Sequence, residues 1–171
     1  MAGSLEFIKS TSGTNVASID VTDCFSDKYD VYKITLTKWH NPSGDSNALL
    51  RLIDSGGSVI SDNEYDNAQL ALRSYNTYPQ DQATNTSNMG TMAYTPLNQT
   101  YNVGAVIYIF NPYDNSSFTF LKVQNANRHS SGLLAFKGIA VHKVAEQITG
   151  FNLYSSQSAT QDVEAKVYGV K

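Results

Sequence analysis

VIYIFNPYDNSSFTFLKV, residues 106–123, decides how this chain folds. Five apolar or aromatic residues, Val106 to Phe110, run into a proline, a carboxylate, two side-chain amides and two hydroxyls, and a second alternating segment follows. Side chains of a strand alternate between its faces, so Val106, Tyr108 and Phe110 share one side and Ile107 and Ile109 the other. Both sides are apolar, as in a central strand of a sandwich. Pro112 biases Asn111 away from helix and ends the hydrogen-bonded ladder, after which Asp114 and Asn115 supply turn chemistry. The stretch predicts strand, turn and strand, rather than a ligand loop.

The same period of two recurs along the chain. In YDVYKITLT (29–37), Tyr32, Ile34 and Leu36 form the inward face. Similar short segments occupy residues 5–9, 16–21, 48–54, 69–75, 133–141, 148–155 and 163–170. With the hairpin, these make about ten strands separated by loops rich in Gly, Pro, Asn and Asp, the layout of an all-β sandwich or barrel. NAQLALRS (67–74) is spaced for a strand as readily as for a short helix and is read as strand in that context. TYPQDQATNTSNMGT (77–91) reads as a long loop, of the kind that carries function. No internal repeat or boundary divides the chain, so residues 1–171 are expected to form one domain.

At 171 residues with 41% hydrophobic content the chain can bury a core, and its 16% charged residues are few for its size. A net charge of −3 with basic residues scattered singly offers no footprint for nucleic acid or an anionic membrane. No apolar run reaches the length of a signal sequence core or a membrane span, so a soluble protein made in a cytoplasm is expected. The single cysteine, Cys24, excludes an internal disulfide and is read as a small apolar residue at a strand approach.

Chemistry-bearing patterns are sparse. His40, His129 and His142 lack acidic neighbours at ligand spacing and read as polar surface residues, and no serine or cysteine sits in a nucleophile context. No catalytic residue and no cofactor is assigned. Asp62, Glu64 and Asp66 share one face of an extended chain, a weak calcium candidate set against a solvated strand entrance. Tyrosine, with 11 copies, is the notable enrichment, and with Asn and Ser it makes adaptable recognition surfaces. Trp39, Tyr75 and Tyr78 are the candidates for stacking on a sugar. Leu5, Phe7, Ile8, Tyr78, Met89, Met92 and Tyr94 are the candidates for contact with a protein partner. Leu5, Phe7 and Ile8 belong either to a docking arm over residues 1–12 or to a first strand.

Four stretches in order, YDVYKITL (29–36), LLRLIDSGGSVISDNEYDNAQ (49–69), VIYIFNPYDNSSFTFLKVQ (106–124) and ITGFNLYSSQSATQDVEAKVYGVK (148–171), resemble a group of small virion proteins of tailed phages, common among marine and cyanobacterial ones. The likeness runs from Tyr29 to Lys171 and departs in residues 77–100 and the first 28. It implies an all-β, antiparallel, jelly-roll-like sandwich of about eight to ten strands, a non-enzymatic subunit on the virion exterior, most simply a capsid decoration or cement protein that contacts the major capsid protein. A homo-oligomer, with a trimer preferred, is expected by the same analogy. A carbohydrate- or receptor-binding module of a tail or fibre is the alternative.

Overall fold

The computed structural model describes residues 4–40, 46–95, 103–129, 131–157 and 160–171. Its regular structure is twelve strands: β1 (Leu5–Val16), β2 (Ser18–Val21), β3 (Val31–His40), β4 (Ser46–Asp54), β5 (Tyr65–Arg73), β6 (Gln80–Thr86), β7 (Thr91–Thr95), β8 (Gly104–Phe110), β9 (Thr119–His129), β10 (Gly132–His142), β11 (Ile148–Ser155) and β12 (Gln161–Val170). No helix of the described residues is long and apolar enough to cross a membrane. The strands form an eight-stranded sheet in the order β1-β12-β3-β8-β9-β10-β5-β6 and a four-stranded sheet in the order β2-β11-β4-β7. With β5–β6 and β8–β10 each taken as one visit to the larger sheet, the chain crosses from sheet to sheet at every step, a jelly-roll-like wind. β9, β10, β5 and β6 lie together and widen the larger sheet on one side only.

All ten segments expected from alternation are strands, 69–75 among them. The two additional strands, β6 and β7, begin within the stretch read as loop. β6, QDQATNT, is an edge strand bonded only to β5 and has no fully buried residue, so it carries no apolar alternation. β7 places Met92 and Ala93 in the core consecutively, where its ladder with β4 slips by one residue between Ala48 and Leu49. One of the connections expected from turn chemistry, NPSGDSN (41–47), falls in its residues 41–45 outside the described residues.

The opening hairpin forms as read. β8 pairs with β9 from Gly104–Ala126 to Phe110–Phe120, and Ile107 and Ile109 are fully buried. Asn111 takes a positive φ of 52°, a conformation asparagine tolerates, and its amide donates to Asp30 O at 2.7 Å. Asp114 Oδ1 accepts from the Ser116 amide at 2.8 Å and its hydroxyl at 2.6 Å, which holds the carboxyl below its ordinary pKa. Pro112 O accepts from Ile148 N. The proline, the carboxylate and the backbone around them are thus used in the turn and its anchorage.

The core lies between the sheets. Tyr32, Ile34 and Leu36 point inward as expected, and Leu50, Leu52, Phe151 and Leu153 face them from the smaller sheet. Cys24 is buried, its thiol pushed up to about 12 by desolvation.

The N-terminal stretch is an edge strand. β1 pairs with β12 from Leu5–Val170 to Val16–Gln161, so residues 5–12 belong to the sheet and are not a free arm; residues 1–3 lie outside the described residues. A bulge between Phe7 and Lys9 turns Ile8 onto the core. Glu6 sits between Lys28 Nζ at 2.5 Å and Lys171 Nζ at 3.0 Å. The bonds from Lys28, Tyr29 and Lys171 lower its carboxyl pKa from 4.5 to about 2. A group depressed in the folded state adds stability that is full above its unfolded pKa and is lost on acidification through the folded one. The Glu6 carboxyl is therefore expected to titrate by NMR with a midpoint of about 2, and Lys28→Ala is expected to move that midpoint upward; an ordinary carboxylate midpoint in the wild type would contradict the clamp.

Candidate functional site

The two faces of the larger sheet differ. Its inner face meets the core, whereas its outer face carries exposed and half-buried side chains, and the strand registers fix what stands there. One lateral row reads Gln82, Ala68, Ile139, Lys122, Tyr108, Lys33, Tyr168 and Phe7, crossing all eight strands from β6 to β1. The next row reads Asp66, Val141, Phe120, Phe110 and Val31. Ile139 is 64% exposed and Phe120 46%, and Leu70, Leu72, Phe118 and Leu133 are also exposed. A groove of about 760 Å³ lies over these rows, lined by Gln82, Ala83 and Thr84 of β6 and by Phe110, Phe120 and Ile139. Monomeric proteins seldom leave so many large apolar side chains together in water, so this face has the character of an interface.

Its extent is sufficient for one. Eight strands spaced by ~4.8 Å span roughly 35 Å, and a band roughly seven residues long at ~3.3 Å per residue gives roughly 23 Å, or about 800 Å². That is about what one partner contributes to a standard stable protein interface.

A second feature sits where β5, β9 and β10 run past the smaller sheet. His129 stacks on Tyr75 with ring centroids 5.3 Å apart and lies 6.4 Å from Tyr94, nearly parallel to both, and the Arg73 guanidinium lies 5.9 Å from the Tyr75 ring. With Asn47, Leu134 and Phe136 these residues line a cavity of about 340 Å³.

The sequence candidates separate on this frame. Leu5, Phe7 and Tyr78 are exposed, Phe7 packing edge-to-face on Tyr168 at 5.8 Å on the outer face. Ile8 and Tyr94 are half-buried, while Met89 and Met92 are core residues with no surface to offer. Trp39 is fully buried as well. Strict alternation from Leu36 would turn it outward, but β12 pairs Glu164 with Lys38 and Ala165 with Leu36, leaving Thr37 as an extra residue that flips Trp39 into the core. Of the sugar candidates Tyr75 lines the smaller cavity, and Tyr78 lines neither.

The carboxylate trio read as a weak calcium candidate is drawn apart. Asp66 pairs with Lys143 Nζ at 2.8 Å, which lowers its pKa, and Glu64 turns to His142, with Oε2 at 3.1 Å from Nε2. Asp62 is exposed and contributes its carbonyl to the Glu64 amide. His142, expected on the surface, is fully buried against the Tyr65 ring at 4.9 Å. The parity of β10 held the signal, because Ala140 and His142 share a face and Ala140 is small and apolar. Glu146, four residues on, lies 3.6 Å from the same nitrogen, so His142 does have an acidic neighbour at ligand spacing, contrary to expectation. Burial raises the Glu146 carboxyl, and the carboxylates of Glu64 and Asp54 push in the same direction against His142.

Comparison with protein-family models, with curated proteins and with solved structures finds no match. What can be read of function lies in the surfaces themselves and in the ordered stretches of sequence.

Proposed function

We propose that this protein is a non-enzymatic structural subunit of a phage virion, a decoration or cement protein that stabilises the head by bridging capsomers. The observation that carries the reading is the cluster of exposed apolar side chains, Phe120 and Ile139 among them, on the outer face of the eight-stranded sheet. A jelly roll whose core is complete within one chain does not need that face for folding, so its apolar residues serve association. The mechanism is burial of contact area: the face closes against neighbouring copies in a homotrimer, and the assembled unit lies across a seam of major capsid protein that internal pressure tends to open. A permanent interface suits such a role better than a transient one.

The test is copy number in purified virions by quantitative mass spectrometry. A shell component is present at on the order of hundreds of copies, following the symmetry of the head, whereas a tail or fibre component is present at about a dozen or fewer. The lower number would sink the decoration reading.

A second reading keeps one supporting observation. The cavity beside Tyr75, His129 and Tyr94 joins ring faces to the Arg73 guanidinium and the Asn47 amide, chemistry suited to one sugar ring of a host glycan. Binding to a glycan array that is lost in Tyr75→Ala would favour a receptor-binding module.

A further inference from the structure

Glu64, His142 and Glu146 come from three places in the chain: the approach to β5, the last residue of β10 and the β10–β11 connection. Their positions are fixed by backbone as well as side chain, since the Lys143 amide donates to Glu64 O at 2.9 Å and so ties the end of β10 to the start of β5. The imidazole is fully buried, leans on Tyr65, and aims Nε2 between two carboxylates, each about one-third exposed. Nδ1 has no hydrogen-bond partner among the described residues. The ring is thus positioned by packing, and its one directed polar contact is toward the carboxylate pair.

The spacing of the three donor atoms is informative. Around a tetrahedral ion with bonds of about 2.0–2.1 Å, ligand atoms lie about 3.3 Å apart. Nε2 is 3.1 Å from Glu64 Oε2 and 3.6 Å from Glu146 Oε1, on either side of that value, and all three donors fall within 4.8 Å of one another. Two carboxylates and an imidazole carry a formal charge of −2 when the ring is neutral, which a divalent cation balances. The nitrogen donor selects zinc and its neighbours over calcium or magnesium, which take oxygen ligands. The exposed flank of both glutamates leaves water a way to the fourth position.

We propose that Glu64, His142 and Glu146 form a zinc site that staples the start of β5, the end of β10 and the approach to β11. The site is independent of the virion reading, since its effect is on the stability of this chain alone. Binding only to the folded form raises the melting temperature in proportion to the logarithm of free metal above saturation. Ligation through Nε2 places the neutral ring's proton on Nδ1, and protons compete with the metal for all three donors, so uptake weakens as pH falls.

The experiment is titration of chelator-treated full-length protein with zinc, read by isothermal calorimetry and by thermal melting, with calcium in parallel and with cobalt as a visible-absorption probe. Expected are one saturable zinc site per chain, a zinc-dependent rise in melting temperature, and cobalt bands of a nitrogen–oxygen site. Glu64→Gln and Glu146→Gln, at partly exposed side chains that leave His142 in place, are each expected to weaken zinc binding at least about tenfold, and the double variant to abolish the melting shift while remaining folded. No saturable site in the wild type, equal stabilisation by calcium, or zinc stabilisation unchanged in the folded double variant would each overturn the assignment.

Discussion

Trp39→Ala is expected to cost about 3–5 kcal/mol of folding stability, the range for removing a large aromatic side chain from a packed interior. Domains hold only ~5–15 kcal/mol in all, so the variant is expected to melt far below the wild type or to fail to fold at growth temperature. The ring is fully buried within the cluster that joins both sheets, and the surrounding strands are held by ladders on both sides, which limits collapse around the void. Trp39→Phe, which fills most of the volume, is expected to be tolerated far better. Tyr78→Ala, at a side chain 64% exposed, is expected to stay within about 0.5 kcal/mol of wild type. Urea denaturation midpoints measure all three. A Trp39→Ala protein as stable as Tyr78→Ala would mean that the ring is at the surface, as a sugar-stacking role would require.

The second large effect is on association. Ile139→Lys and Phe120→Lys place charges at the centre of the outer face, on positions where the side chain already meets water. Folding is expected to change by no more than about 1 kcal/mol, the span of strand preference at exposed sites. Self-association is expected to weaken by about a hundredfold or more when both substitutions are combined, because central apolar anchors carry most of an interface's binding energy and a buried unpaired charge opposes it. Sedimentation equilibrium reads the effect. Tyr78→Ala, away from the groove, is the control expected to leave association unchanged. Equal association of wild type and the protein carrying both Phe120→Lys and Ile139→Lys would show that the outer face is not the interface.

Alternation along the chain locates the strands that bury every second residue, but it misses β7, where Met92 and Ala93 are buried in succession. It is silent for β6, whose polar QDQATNT is bonded on one side and buries nothing. It misplaces Trp39 because a bulge adds one residue, and one residue exchanges the faces of a strand. The apolar outer face is unreadable for a different reason. Ile139, Phe120 and Leu70 lie far apart in sequence, and only the strand order and registers bring them together. The same is true of Glu64 beside His142 and Glu146: the sequence shows a local run of carboxylates, whereas the contact that matters is between the beginning of one strand and the end of its neighbour.

The most direct test of a head-bound, capsomer-bridging role is a reconstruction of the virion at a resolution that shows side chains. This jelly roll is expected on the outside of the head, over seams between capsomers, with Phe120 and Ile139 covered by neighbouring subunits. Density for the chain only at the tail, or a head-bound subunit with the outer face of its larger sheet open to solvent, would contradict that role.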